Sequence, residues 1–346
     1  MNIKAVAAKA GVSIATVSRT INGRAEVSPE TAENVWRAIR VLGYHPNRQA
    51  RTLVSGRSHT FGLIISDIAN PFFPELVKSF EEAALAKQYD VTVSNTSYDS
   101  HRLRSAVERM LELRVDGVAV MTSEFDPHII SELSRRGIPI VFLDVGTVRP
   151  RISNILVDYE NGIRQAVQHL HALGHRRLGF ISGPLRLKSA DMRRRALEKC
   201  MRECGLQRSK NLMREGNHCV DGGQRAMEIL LKEKDVPTAV LASNDLTAIG
   251  ALRAAYAVGL RVPQDVSLIG FDDIQLCEFT QPQLTTIRLS RQELGRSACD
   301  ALVRVVEGGD ANGHELGVST QLVLRESTAA PNSSGRPSGQ SRTAVA

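Results

Sequence analysis

Short apolar runs alternate with amphipathic helical segments from residue 60 onward, and this alternation constrains the fold of most of the chain. Apolar runs bounded by polar segments are typical of strands buried in a parallel sheet. The runs lie at 61–65, 91–93, 118–121 and 138–143, and the rhythm restarts at 178–181, 238–241 and 266–271. The pattern predicts two successive doubly wound α/β units with helices on both faces of each sheet.

Helical segments are predicted between these strands, at 75–87, 103–113, 163–173, 193–204, 223–231 and 246–259. In open α/β sheets, ligands bind beyond the carboxyl ends of the strands. Two similar lobes would face each other across a cleft, and we expect this cleft to be the principal small-molecule site.

Residues 1–44 have a different pattern, in which three short amphipathic segments are separated by capping residues. Gly11 lets the chain turn sharply after the first segment, and the Ser13 hydroxyl can cap the second. Such a helix-turn-helix unit presents the outer face of its second helix to the DNA major groove. A three-helix bundle without DNA-binding activity is the alternative.

The second of these helices has two distinct faces on a helical wheel. Val17, Thr20 and Ile21 lie on one side, and Ile14 lies at the border. The other side carries small, polar and basic residues, namely Ala15, Ser18, Arg19 and Asn22. This second face suits a helix that lies in a major groove.

Positive charge is concentrated in the same N-terminal part of the chain. The whole sequence has a net charge of +7, and residues 1–58 hold nine basic and three acidic side chains. The rest of the chain is therefore nearly neutral. A basic end on a neutral body is the electrostatic footprint of a nucleic-acid-binding module.

Several other classes of protein are disfavoured by the sequence. The N-terminus lacks the apolar core of a signal peptide, and no run approaches the roughly 18 apolar residues that span a bilayer. The five cysteines are odd in number and scattered, which indicates a reducing compartment rather than a disulfide framework. We expect a cytoplasmic protein that does not contact a membrane.

Metal-binding and catalytic patterns are weak. Cys200 and Cys204 share a helix face, but buried or idle thiols are the simpler interpretation. His169 and His171 point about 200° apart on a helix, and Gly174 is expected to end that helix before His175. The sequence contains no phosphate-binding, zinc-protease or nucleophile-elbow motif. We expect no metal, no cofactor and no enzymatic activity.

The N-terminal sequence closely resembles that of the lactose-repressor family of bacterial regulators. The stretches IKAVAAKAGVSIATVSRTING and VSPETAENVWRAIRVLGYHPNRQARTLVSG carry the resemblance without a gap. Ala5 is one departure, because the family usually has an acidic residue there. The resemblance implies a helix-turn-helix DNA-binding domain at 1–46 and a hinge helix or linker at 47–58.

The resemblance also implies which residues contact DNA. Ile14 and Ala15 occupy the two positions that select the operator, and both are apolar here. Arg19 can donate two hydrogen bonds to guanine and is expected to carry much of the direct readout. Ser13, Thr16, Ser18 and Asn22 are candidates for phosphate contacts, or are simply solvated helix residues.

The segment NRQARTL has helical composition but is too short to be stable alone. In the family, the hinge helix folds on DNA and pairs with its dimer mate in the minor groove. Asn47, Ala50 and Leu53 are therefore expected to contact DNA, with Leu53 as an apolar wedge at a central CG step. A plain flexible linker is the alternative.

The body, 59–329, resembles the two-lobed periplasmic-binding-protein-like fold of type I. By this resemblance, lobe 1 comprises about 59–157 and 288–319, and lobe 2 comprises about 158–287 and 320–329. The Ser/Gly/Pro-rich tail at 330–346 is expected to be disordered. This tail shows no leucine heptads of the kind that form the tetramerisation helix of the lactose repressor, so a homodimer is expected.

Eight residues match effector-binding positions of related proteins: Asn70, Phe72, Phe73, Asp144, Arg193, His218, Asn244 and Asp272. Ordinary core packing is the alternative for Phe72 and Phe73. His218 departs from the family because an aromatic stacking residue is usual there, and Val145, Asp191 and Leu289 are further departures. The effector class implied by the resemblance is a sugar or sugar derivative.

Together these observations predict a homodimeric, sequence-specific transcriptional repressor of double-stranded DNA with a pseudo-palindromic operator and a small-molecule effector. The sign of the effector's action on DNA binding is open. A sugar-binding transport protein, an enzyme with this two-lobed fold and a regulator controlled by a protein partner are the alternatives.

Overall fold

The computed structural model describes residues 2–21, 27–44, 56–123, 131–133, 135–207, 209–309 and 311–332. The chain divides into two compact units, one ending at Ser58 and the other beginning at His59. The predictions for Asn22, Asn47, Ala50 and Leu53, and for the tail beyond residue 332, lie outside the described residues.

The described residues of the N-terminal unit form helices α1 (Ile3–Ala10), α2 (Ile14–Ile21) and α3 (Pro29–Leu42). The Asn2 side chain accepts a hydrogen bond from the amide of Ala5, and the Ser13 hydroxyl accepts one from Thr16. Gly11, with φ of 67°, allows the left-handed turn between α1 and α2. The three helices enclose a small apolar core of Val6, Ala7, Val17, Val35, Ala38 and Ile39.

The second unit is built on strands and helices that alternate along the chain. The strands are β1 (Thr60–Ile65), β2 (Asp90–Asn95), β3 (Gly117–Met121), β4 (Ile140–Leu143), β5 (Ile152–Asp158), β6 (Leu178–Ser182), β7 (Met213–Glu215), β8 (Ala239–Ala242), β9 (Ser267–Asp272), β10 (Thr285–Leu289) and β11 (Glu315–Val323). The helices are α4 (Phe72–Ala86), α5 (Ser100–Glu112), α6 (Tyr159–Ala172), α7 (Lys188–Glu203), α8 (Val220–Leu230), α9 (Asp245–Ala257) and α10 (Arg291–Glu307).

The strands follow the order β2-β1-β3-β4-β5-β11-β10-β9-β8-β6-β7. Residues Glu315–Ser319 of β11 pair in parallel with β5, whereas Thr320–Val323 pair antiparallel with β10. The other pairings between the strands named above are parallel. We call the β1–β5 half lobe 1 and the β6–β10 half lobe 2, and β11 joins them.

Helices cover the strands of both lobes and supply most of the core. In lobe 1, α4 packs against α10, so the chain returns to this lobe after β10. In lobe 2, α6 packs against α7, and α8 packs closely against α9. Because all strands except part of β11 run parallel, the carboxyl ends of each lobe's strands lie at one edge, as a ligand cleft requires.

The cysteines are not cross-linked, and two of the histidines make hydrogen bonds within the fold. The cysteines are free thiols, and burial raises the pKa of Cys200 to about 11. His175 is buried and hydrogen-bonds to the Thr238 hydroxyl and the Ala329 carbonyl, while His169 contacts the Thr328 hydroxyl at 3.0 Å. These two histidines therefore fasten the C-terminal segment to lobe 2.

Candidate functional site

The outer face of α2 is accessible. Val17 and Thr20 are buried against the other two helices, whereas Ser13, Ile14, Ala15 and Arg19 are exposed and Thr16 and Ser18 are half-buried. Ile14, at the border of the helical wheel, is 44% exposed and lies outside the core. The face that was predicted to read DNA is therefore a surface of small, polar and basic side chains.

A small cavity of about 50 Å³ lies at the carboxyl ends of the strands of both lobes. Its wall includes seven of the eight residues predicted to bind an effector: Asn70, Phe72, Phe73, Arg193, His218, Asn244 and Asp272. Ser66, Tyr98, Met121, Ser123, Leu143, Tyr159, Ser189 and Leu289 complete the wall. The position of the cavity between two lobes, and its mixture of aromatic and convergent polar side chains, are typical of small-molecule sites.

Lobe 1 contributes the aromatic part of the wall. The Asn70 side chain accepts a hydrogen bond from the amide of Phe72, which begins α4, and this contact fixes the turn after β1. Phe72 and Phe73 meet edge to face with ring centroids 5.3 Å apart. Both rings are buried, yet both line the cavity, so they serve as core and as binding surface together.

Arg193 is the main cation of the cavity. It lies in the second turn of α7, which begins at Lys188, and not at the start of the helix as the sequence suggested. One terminal nitrogen donates to the Ser243 carbonyl at 2.6 Å, and the other lies 3.5 Å from the Asp272 carboxylate. Its Nε is buried and has no hydrogen-bond partner among the described residues.

Two aromatic rings support this guanidinium. The Arg193 carbon atom Cζ lies 4.2 Å from the centroid of the Phe271 ring and 5.1 Å from that of Tyr159. Cation–π contacts of this kind hold a buried guanidinium without occupying its donors. Arg193 therefore lines the cavity and keeps one buried donor, Nε, that no described residue uses.

Asp144 is the predicted effector residue that does not line the cavity. Its carboxylate accepts hydrogen bonds from the amide of Val157 at 2.9 Å and the hydroxyl of Tyr159 at 2.6 Å. Burial raises the pKa of Asp144 and, together with the Asp144 charge, raises that of Tyr159. The structure thus places Asp144 behind Tyr159, where it orients a tyrosine that sequence reasoning missed.

His218 lies at the entrance to α8 with φ of 64°. Burial, reinforced by the charge of Arg193, lowers the pKa of His218 to about 3, so the ring is neutral at pH 7. The ring stacks on Tyr98 of lobe 1 with centroids 6.1 Å apart. The neutral ring has one donor and one acceptor nitrogen, and its Nδ1 lies 3.3 Å from the Ser243 hydroxyl.

Asn244 and Asp272 end strands of lobe 2. The Asn244 side chain caps α9 through the amide of Thr247 and donates to the His218 carbonyl, both at 2.9 Å. Asp272 is 4% exposed, with φ of 108°. Burial raises its pKa, and the charges of Arg193 and Arg291 oppose this shift.

Hydrogen bonds join the two lobes beside the cavity. The hydroxyls of Ser123 and Ser189 are 2.7 Å apart, and the Lys188 ammonium donates to the Asp144 carbonyl at 2.6 Å. The pairs connect lobe 1 with the first turn of α7. The cleft is therefore closed around the cavity, and a ligand that opened or tightened it would move the lobes.

A second buried carboxylate, Asp245, lies beneath the cavity floor. It accepts hydrogen bonds from the Thr286 hydroxyl and the Ile274 amide, at 2.5 and 2.9 Å. Burial, followed by the nearby charge of Asp272, raises the pKa of Asp245. Two buried carboxylates that face each other cannot both ionise without cost.

We expect the Asp245→Asn variant to flatten the pH dependence of stability. The pKa of Asp245 in the folded state lies above its value of about 4 in the unfolded state. Its contribution to stability is therefore present below about pH 4 and is lost as the pH rises through the raised pKa. Asparagine does not ionise; its Oδ1 can still accept from the Ile274 amide, and its Nδ2 can donate to the Thr286 hydroxyl. Thermal unfolding from pH 4 to 8 tests this, with exposed Asp235→Asn as the control. If the stability of Asp245→Asn depended on pH as strongly as that of the wild type, Asp245 would not have a raised pKa in the folded state.

The chain matches two families of known domains, one in each unit. Residues 2–47 match bacterial regulatory proteins of the lacI family, and residues 167–328 match the periplasmic binding protein-like domain. The HTH-type transcriptional repressor PurR of Mannheimia succiniciproducens is 35% identical over 326 residues, covering 94% of this chain and 98% of the relative. The chain belongs to the lacI family. It is a DNA-binding transcriptional regulator, as the sequence predicted.

Solved structures of lacI-family proteins share the whole architecture. The Lac repressor dimer bound to operator and the anti-inducer ONPF has a TM-score of 0.86 and 32% identity, over 95% of this chain and 99% of that one. A complex of the transcriptional regulator CelR with cellobiose has a TM-score of 0.72 and 31% identity, over 94% and 99%. The predicted family and fold class are confirmed.

Two expected absences can be examined only in the part of the chain that the structure describes. There, no helix has both the length and the apolar character needed to cross a bilayer. No group of three or more histidine, cysteine or acidic side chains is positioned to hold a metal ion within those residues. The relatives reported above are transcriptional regulators.

Proposed function

We propose that this lacI-family chain is a homodimeric, cytoplasmic repressor whose affinity for a pseudo-palindromic operator is set by a sugar or sugar derivative bound between the lobes. The observation that carries the proposal is the cavity, in which seven residues predicted from separate parts of the sequence meet. We propose the headpiece at 1–46, the hinge at 47–58 and the two-lobed body at 59–329.

The proposed ligand chemistry follows from the wall of the cavity. Phe72 and Phe73 offer ring faces and edges that suit the C–H face of a sugar ring. Arg193 offers an unused donor, and Asp272 offers acceptors for hydroxyls. The ligands named in related structures, cellobiose among them, agree with this class. The chain is proposed to bind its effector without chemical turnover.

Regulation is proposed to act through the angle between the lobes. A ligand that changes lobe closure would change the spacing of the hinges at 47–58 in the dimer, and with it the fit of the paired headpieces to DNA. The coupling required is modest, about 1–3 kcal/mol, or roughly 5- to 150-fold in operator affinity. Release and promotion of DNA binding are both compatible with this geometry.

The test is fluorescence anisotropy of the full chain on labelled duplexes, with and without a panel of neutral sugars and sugar acids. The duplexes are a pseudo-palindrome with a central CG step and a pool selected from random DNA. Tight, steeply salt-dependent binding that one compound changes supports the proposal. Binding no tighter than that to random duplex, after selection, would overturn it, as would consumption of the bound sugar.

Replacing Arg19 by alanine is expected to weaken binding to the selected operator by about 5- to 150-fold, because a bidentate contact to guanine contributes about 1–3 kcal/mol of discrimination. Binding to random duplex should weaken much less. The matched control is Arg37→Ala on α3, which removes the same charge from an exposed side chain outside α2. Equal losses on both duplexes would place Arg19 among the phosphate contacts.

A further inference from the structure

The turn after β9 has an unusual backbone that the cavity depends on. Asp272 and Asp273 both have positive φ, 108° and 58°, a region that residues other than glycine rarely adopt. The Asp272 side chain lines the cavity, and its carbonyl oxygen accepts a hydrogen bond from Arg291. Because strained turns persist only when their surroundings hold them, the groups that fasten this turn also set the cavity.

Arg291 holds this turn by one hydrogen bond and a helix of lobe 1 by another. Its Nη1 donates to the Asp272 carbonyl at 2.6 Å, and its Nε donates to the Glu75 carboxylate at 2.7 Å. Glu75 lies in the first turn of α4, next to the aromatic residues of the cavity wall. The Arg291 side chain is only 16% exposed, whereas the Glu75 side chain is 42% exposed, so the contact to the Asp272 carbonyl is the better shielded from water.

Helix formation does not explain an arginine at this position. Arg291 is the first residue of α10, where the helix dipole disfavours a positive charge. The cap is supplied by Ser290, whose hydroxyl accepts from the Glu293 amide. The contacts to Asp272 and Glu75 are therefore what stabilise the guanidinium here.

We infer that Arg291 is a positioning residue of the effector cavity, which fixes the Asp272 turn from behind and ties it to the start of α4. The inference rests on the proposed function of the cavity. Because Arg291 contacts both Asp272 and Glu75, the Asp272 turn of lobe 2 and the aromatic start of α4 in lobe 1 are expected to move together. A ligand that displaces Asp272 therefore acts on α4 through Arg291 and Glu75, in addition to any contact with Phe72 and Phe73.

The charges around the turn give this role a measurable signature. The Asp272 carboxylate lies 3.5 Å from Arg193, its main-chain carbonyl accepts from Arg291, and its charge acts on the buried carboxylate of Asp245. Neighbouring Asp273 is paired with Arg288 and Arg325. Since Arg291 is one of two cations that lower the raised pKa of Asp272, its removal should raise that pKa further.

The experiment is thermal unfolding of the full chain at pH 5 and pH 8, without DNA or effector. The Arg291→Met variant is expected to lose about 2–4 °C more at pH 8, where Asp272 is ionised, than at pH 5. This difference corresponds to about a tenfold change in the Asp272 protonation equilibrium. In an Asp272→Asn background, the extra loss at pH 8 should disappear.

Further variants separate positioning from general stability. Arg291→Lys should recover most of the loss at pH 8, whereas Arg291→Gln, which can still donate to the carbonyl, should not. Arg296→Met, an exposed arginine on the same helix, is the matched control and should show no pH-dependent loss. Hydrogen exchange should rise both at 270–275 and in the first turn of α4 in Arg291→Met, which loses both contacts, and only in α4 in Glu75→Gln.

A loss of equal size at both pH values, or one that survives in Asp272→Asn, would overturn the inference. Exchange confined to α10 would do the same. Because the proposed function is tested by operator binding of the wild-type chain, its failure is separate from the outcome for Arg291.

Discussion

The Arg193→Met variant is expected to lose effector binding and also to unfold more easily. Methionine removes the unused Nε donor and the cation beside Asp272, whose side chain is 6% exposed. Breaking a buried pair by removing one partner costs about 3–5 kcal/mol, because the other charge is left without compensation. Denaturant unfolding measures the loss of stability, and ligand-induced thermal shift with the sugar panel measures the loss of binding.

A second substitution separates these two effects. In Arg193→Met/Asp272→Asn, the uncompensated carboxylate is gone, so most of the stability should return while effector binding stays lost. Arg195→Met is the matched control, since Arg195 is on the same helix but its side chain is 73% exposed. If the double variant binds a sugar as tightly as the wild type, Arg193 is not part of the ligand site.

The periodicity of the sequence predicted the buried strands well because their apolar runs are continuous. The predicted runs at 61–65, 118–121 and 178–181 all fall within observed strands. No strand was predicted at Ile152–Asp158 or Thr285–Leu289, although both pair near the centre of the strand order. Ser153, Asn154, Thr285 and Thr286 break the apolar pattern while being fully buried, so hydrophobicity gives no signal there.

The site was predictable where a short motif fixes the local backbone. Asn70 and Phe72 lie where the chain passes from β1 into α4, and Asn244 caps α9 just after β8, so each is held beyond the carboxyl end of a strand. Tyr159 and Tyr98 were missed because each is a single aromatic residue without a recognisable motif. Their roles come from tertiary contacts with Asp144 and His218.

Asp144 shows the limit of inference from resemblance. It was predicted to bind the effector because it matches an effector-binding position of related proteins, and it does follow β4 directly. The side chain, however, is taken up by the amide of Val157 and the hydroxyl of Tyr159 on the neighbouring crossover. Whether a strand-end carboxylate reaches a ligand depends on donors from other elements, which local sequence does not reveal.

The Gly250→Ala variant is expected to lose about 3 kcal/mol of stability, at the upper end of overpacking effects. A Cβ at this position of α9 would lie 2.0 Å from the Val220 carbonyl oxygen and 2.7 Å from the Gln224 amide nitrogen, both in the backbone of α8. A Cβ added at Gly223 of α8 would likewise come too close to the Thr247 carbonyl oxygen of α9, so the two helices pack against each other through glycines. Because backbone atoms cannot rotate away as a side chain can, the two helices would have to move apart.

This separation should also reach the cavity, because α8 begins just after His218 and α9 begins just after Asn244. We therefore expect Gly250→Ala to weaken effector binding as well as stability, as measured by denaturant unfolding and by thermal shift with a bound sugar. The matched control is Gly317→Ala on β11, where the added Cβ meets no atom within 4 Å. That variant should be neutral or slightly stabilised through the unfolded state. Wild-type stability in Gly250→Ala would mean that α8 and α9 do not approach through their backbones.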